Sequence, residues 1–347
     1  MAKVKYNTHT HIFTIDHVPN KFGKKLIPIG LYHFITMKLV KWYYKNFTSR
    51  GSYKYKVFRN KLDSIKYAVK EFFKKTIIIH LLLSIVFFFA GWIFKILTNF
   101  FRIEFIFSKS TRETVKRFLT LGRYSLYLEQ SKIFDLLSKS YDNDTQFIVL
   151  AMDMDYMDAG EPAIPYMEQL EDLKRIKQRK KDKIHPFLFL DPRRIAATKQ
   201  KSKHENYENY AKHLLNSGLF AGIKMYPALG YYPFDKELIE MYKFALEHQI
   251  PITTHCIEGT VFYRGKKKEE WNQHPILKYN KEGGIMEPIP LPQKDNYHFT
   301  TNFSHPLNYH CLLNKELLQE YLGEDYGEVP DFRNLKICLA HFGGEDE

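Results

Sequence analysis

From residue 145 onward, short and nearly unbroken apolar runs recur between amphipathic stretches. They are TQFIVLAMD (145–153), HPFLFLD (185–191), FAGIKMYP (220–227), PITTHC (251–256) and LKICLAHFG (335–343). Apolar runs this short, without polar alternation, predict strands buried on both faces, as in a parallel sheet. The intervening stretches have helical spacing. YMEQLEDLKRIKQRKK sets Met167, Leu170 and Leu173 on one side, and DKELIEMYKFALEH sets Leu238, Ile239, Tyr242 and Leu246 on one side behind a candidate N-cap, Asp235. Strand–helix alternation predicts βαβ units and an α/β fold. KYNTHTHIF supplies one more strand near the start. Six strands are therefore predicted, at 4–13, 146–152, 186–191, 219–226, 251–256 and 335–341.

Residues 20–140 break this rhythm. The chain carries a net charge of +13, and all of the excess lies at the front: residues 1–140 hold 26 Lys and Arg against 7 Asp and Glu, and the remainder 26 against 32. Such asymmetry predicts an electrostatic partner for the front part alone. Within it, TIIIHLLLSIVFFFAGWIF (76–94) has no Asp, Glu, Lys or Arg, and a membrane helix needs about 20 such residues. A single span would put strand one and strand two on opposite sides of a bilayer, so the segment returns, lies in the interface, or is a buried helix. Its flanks, Lys70, Lys74, Lys75, Lys95 and Arg102 with Trp92, suit an anionic membrane surface. LYHFITMKLVKWYYKNF (31–47) adds amphipathic character. The alternative is a helical insertion packed on the sheet with its basic residues solvated. No nucleic-acid-binding motif is present, and nucleic acid is not expected as a partner. Cys256, Cys311 and Cys338 are odd in number and widely spaced, and no secretory signal precedes strand one. A cytoplasmic location is expected, with association at the inner face of a membrane as the variant that the basic segment allows. The expected organisation is a first strand at 1–19, the basic apolar helical insertion at 20–140 and the remaining βα units at 141–347.

Histidines mark the strand ends. His9 and His11 are two apart in NTHTHIF, so a strand points both the same way. His255 closes PITTH and His341 closes ICLAH. Each alone reads as an ordinary polar or core histidine. Three strands ending in histidine at the face where α/β barrels build their active sites favour a metal site.

NTHTHIF, GIKMYPALGYYP, PITTHC and LAHFGG together resemble the amidohydrolase superfamily, specifically its amidohydrolase-related branch of metal-dependent hydrolases and decarboxylases. The resemblance covers residues 1–15 and 145–347. It implies an α/β fold of TIM-type (β/α) barrel class, here incomplete with about six of eight strands and carrying the basic, hydrophobic helical insertion after strand one. It implies that His9, His11 and His255 hold a divalent metal, usually zinc, as one or two ions. His341 would orient or polarise water and substrate as a catalytic residue. Lys224, at a strand-four position, would be a carbamylated bridge between two metals, a buried lysine binding an anionic substrate group, or a salt-bridged structural lysine. The family's general base is normally an aspartate ending strand eight. This sequence stops at HFGGEDE after strand six, and Asp346 there is a poor substitute. The isolated chain is thus expected to have weak activity at best.

Other polar groups follow strand ends, where substrate loops belong. Asp153, Asp155, Tyr156 and Asp158 follow strand two, Arg193 and Arg194 strand three, and Tyr226, Tyr231 and Tyr232 strand four; Arg264 lies in the loop after strand five. Asp155, Arg193, Tyr226 and Arg264 are the substrate candidates, with Arg193 or Arg264 either gripping a carboxylate or sitting in a surface ion pair. Cys256, His305 and His310 are expected to be non-ligands. The expected function is hydrolysis of a C–N or C–O bond of a small molecule by a metal-activated water. The rivals are a truncated inactive remnant or membrane-associated binding protein, and a metal-dependent decarboxylase with the same ligands.

Overall fold

A computed structural model of the chain describes residues 4–25, 30–34, 36–43, 60–68, 129–202, 205–256, 259–281 and 284–341. Two compact units emerge, one from Met1–Lys25 with Tyr127–Glu347, the other from Leu26–Leu126. In the second unit the described residues include the helix α1 (Met37–Tyr43), which buries Met37 and Val40 and exposes Leu39 and Trp42, and an exposed helical stretch at 60–68. The apolar run 76–94 and its basic flanks lie outside the described residues. Among those described, no helix is long and apolar enough to cross a membrane.

The first unit is built on a six-stranded parallel sheet curled into a half-barrel. Its strands are β1 (Lys5–Thr10), β2 (Thr145–Leu150), β3 (Ile184–Phe189), β4 (Gly222–Met225), β5 (Ile252–His255) and, at the far edge, β8 (Ile337–Ala340), in that order. All six strands lie where the apolar runs predict them. The helices α2 (Gln130–Ser138), α3 (Tyr166–Lys180), α4 (Pro192–Thr198), α5 (Tyr207–Asn216) and α6 (Ile239–Glu247) fall between strands. α3 buries Leu170, Leu173 and Ile176 at helical spacing, and Phe134 of α2 meets Phe147 of β2 edge to face at 5.4 Å. Asp235 does cap, accepting from the Glu237 N–H at 3.0 Å at the 3-10 turn that leads into α6.

Between β5 and β8 the chain makes an excursion that the apolar pattern does not announce. It holds an antiparallel hairpin of β6 (Gln273–Lys281) and β7 (Ile285–Pro290), then α7 (Asn296–Phe299), α8 (Thr301–Ser304), α9 (Leu307–Leu313) and α10 (Lys315–Leu322). Trp271, Phe299 and Phe303 form a small core there, with Tyr232 and Tyr263 packed against it.

Two details position the site. Asn7 lies opposite Phe147 and Thr10 opposite Val149, so β1 carries one residue more than β2 over this interval. Such a bulge re-aims side chains at the strand end. Lys224 pairs laterally with Phe189 and with Thr253, and His255 pairs with Ala340. Alternation then puts Lys224, Tyr226, Thr253, His255 and Ala340 on one face of the sheet.

Candidate metal centre

His9, His255 and His341 converge at the C-terminal ends of β1, β5 and β8. One nitrogen from each lies within 4.8 Å of the others, close enough to hold one metal ion. Nε2 of His9 is 2.9 Å from Nε2 of His255. The His341 ring centroid is 5.0 Å from that of His9 and 4.8 Å from that of His255. Ala340 shares the face of His255, so a continued strand would aim His341 to the other side. The strand ends instead, and His341 adopts φ 59°, a left-handed conformation uncommon outside glycine, that goes with its turn into the cluster.

His11 stands beside this group, its ring 5.2 Å from His9 and 6.4 Å from His255. Its Nδ1 lies 3.0 Å from the Leu150 carbonyl oxygen. A carbonyl only accepts, so His11 donates from Nδ1 and keeps the Nε2 lone pair free. A backbone oxygen carries no side-chain signal, and the sequence does not foretell this anchor. The ring of Tyr226 packs at 4.5 Å from His255.

The electrostatics suit metal ligation, which requires neutral imidazoles. Burial, reinforced by the Lys224 charge, pushes His9 down to about 4 and His11 down to about 3. The same two causes hold His255 far below the usual histidine range. Nδ1 of His255 is buried without a hydrogen-bond partner. Lys224 is fully buried with its Nζ unpartnered, and burial pushes it down to about 7, opposed only by the thiols of Cys256 and Cys338. It is therefore no salt-bridged lysine. No carboxylate among the described residues belongs to the cluster.

The remaining candidates separate cleanly. Arg193 is committed to Asp191, donating from Nε at 2.8 Å and Nη2 at 2.6 Å, and to the Tyr156 carbonyl. Asp155 accepts from Arg194, which also grips the buried Asp153 through Nε and Nη2. These acids and bases satisfy one another and brace the loop after β2 against α4. Arg264 behaves differently. It is wholly buried, stacked at 3.5 Å over Phe262, and its Nε and Nη1 have no partner. Below the histidines, a cavity of about 920 Å³ is lined by Thr8, His9, Ile148, Phe187, Thr253 and His341, among others. Cys256 is half-buried, and His305 and His310 are exposed; none of the three joins the cluster.

In comparisons with known proteins, no family model and no curated sequence matches this chain.

Proposed function

We propose that the chain is a metal-dependent hydrolase of the amidohydrolase-related kind, with its half-barrel forming part of a TIM-type barrel and its centre acting on a C–N or C–O bond of a small molecule. One observation carries the reading: His9, His255 and His341 meet within 4.8 Å at three strand ends of a parallel sheet. A sheet core does not require three imidazoles with facing nitrogens, whereas a zinc site of the three-histidine type does. The donor set fits the ion. His9 and His255 are held neutral by burial, their Nε2 atoms face each other, and His341 closes the set from the exposed side. His11, fixed by the Leu150 carbonyl, offers Nε2 as an additional donor. A divalent ion bound there lowers the pKa of water to about 7 and polarises a substrate carbonyl. The chain's own contribution is to hold the imidazoles deprotonated, to bury one side of the centre behind Lys224 and Tyr226, and to leave the other side open at His341. A decarboxylase would use the same ligands, and product analysis separates the two reactions.

The test is the zinc content of the purified full chain after dialysis, set beside hydrolysis of p-nitrophenyl acetate. About one zinc per chain is expected, with both zinc and hydrolysis lost in His9→Ala and His255→Ala. Zinc content no higher in the parent than in these variants would overturn the reading.

A further inference from the structure

Four cationic side chains stand at the C-terminal ends of β3, β4 and β5, and they divide into two pairs. Arg193 and Arg194 are matched by Asp191, Asp153 and Asp155. Lys224 and Arg264 have no carboxylate partner among the described residues and meet only aromatic rings and, for Arg264, one backbone carbonyl. Each is fully buried with unpartnered nitrogens. The groups that oppose their charge are the thiols of Cys256 and Cys338 for Lys224 and the Tyr226 phenol for Arg264, and no carboxylate is among them. A buried guanidinium costs several kcal/mol to desolvate, and an anion at its free N–H groups offsets that cost.

Tyr226 ties Arg264 to the histidine centre. Its ring touches His255 at 4.5 Å on one side, and its hydroxyl approaches the loop after β5, so that a Cβ on Gly259 would lie 2.9 Å from it. That loop carries Arg264, whose Nη2 donates to the Thr260 carbonyl at 2.5 Å and whose face is covered by Phe262. With its face stacked and one Nη2 hydrogen engaged, the guanidinium has in-plane N–H groups left on Nε and Nη1, which lie on opposite edges, and the second Nη2 hydrogen completes a fork with one of them. In-plane donors of this kind suit a planar carboxylate.

We infer that Arg264, with the Tyr226 hydroxyl, receives the carboxylate of an anionic small-molecule substrate whose reacting bond lies at the histidine centre. The inference rests on the hydrolase reading for what happens to that substrate, but not for its binding. Lys224, on the same face of the sheet as Tyr226, adds to the positive field that draws the anion in.

The experiment titrates zinc-loaded full-length protein with 4-fluorobenzoate, with the neutral isostere 4-fluorobenzamide and with inorganic phosphate, read by fluorine NMR or by calorimetric competition. The acid is expected to bind and the amide to bind roughly 10- to 100-fold more weakly, since hydrogen bonds to a charged group carry the difference. Arg264→Met should erase that preference while leaving zinc content unchanged. It should also raise the ligand-free melting temperature, because it removes an uncompensated buried charge; a purely structural arginine would lower it. Arg264→Lys keeps a cation without the fork and should retain only part of the preference, which preserves the test if the methionine variant does not fold. 4-Fluorobenzoate binding no more tightly than the amide, a preference untouched in Arg264→Met and Arg264→Lys, or phosphate binding as well as the carboxylate would each overturn the inference. Carboxylate preference in protein that takes up no zinc would instead overturn the hydrolase reading alone.

Discussion

Gly222 shows how little room one residue leaves on the concave face. The ring of Phe187 lies directly over it, and a Cβ there would come within 2.5 Å of Phe187 Cζ. Glycine is needed for this close approach, since its φ lies outside the left-handed range. Gly222→Ala is expected to destabilise the protein by about 1–3 kcal/mol in urea unfolding, because the Phe187 ring must shift to make room. Phe187→Ala alone should cost about 3–5 kcal/mol, and the double variant less than the sum, because the second change removes the first clash. The histidines were legible at this scale because His255 and His341 end the runs PITTH and ICLAH, and because His9 and His11 stand two apart in the strand NTHTHIF. Arg193 and Arg264 were not separable by sequence. Both follow strand ends, and only the fold reveals that Asp191 claims the first and that no carboxylate among the described residues pairs with the second.

Among the elements, the turn after β1 carries a pH dependence. His17 closes the 3-10 turn Ile15–His17, accepting the Thr14 N–H at Nδ1 (2.9 Å), while its Nε2 is buried without a partner. Burial pushes His17 down to about 4, and the nearby Asp172, Asp16 and Asp155 only moderate the shift. Its folded-state pKa is therefore below the unfolded value of about 6.5, and between these values the unfolded chain binds more protons. Stability is complete above about pH 6.5 and falls by up to about 3 kcal/mol as the pH drops toward 4. His17→Gln keeps an acceptor for Thr14, as in a capping box, and should shrink the acid limb by the His17 share, leaving that of His9, His11 and His255; urea midpoints at pH 7 and pH 4.5 measure it. An unchanged difference between the two pH values would assign the acid sensitivity elsewhere. The strands of the main sheet were legible because burial on both faces leaves unbroken apolar runs. The β6–β7 hairpin was not, because QHPILKYNK and IMEPIP mix Pro and Lys into half-exposed strands. The Gly283–Gly284 pair between them was the available signal.

For the whole molecule, the consequence of a half-barrel is two outer strands with one neighbour each. Among the described residues nothing pairs with the outer side of β1 or β8. β4 is buried throughout, whereas β8 is half-buried with Cys338 exposed. Hydrogen exchange should therefore be slowest in β3 and β4 and fastest in β1 and β8. Equal protection across all six strands would mean that both edges are covered in solution. The parallel sheet was legible from the apolar runs, whereas its curl into a half-barrel was expected only from the family resemblance. The basic segment 20–140 declared its charge and its hydropathy but no periodicity that fixes a tertiary arrangement, and most of it lies outside the described residues. The histidine cluster also has a meaning in the dimension of the chain itself. His9 and His255 are 246 residues apart, and His341 lies further on still. An ion shared among them would be a clasp on a very long loop, and because only the folded chain brings the three together its binding free energy would add directly to the stability of the fold. During synthesis the first imidazole thus waits until the strand that leads to His341 has emerged, and the pocket cannot close before that.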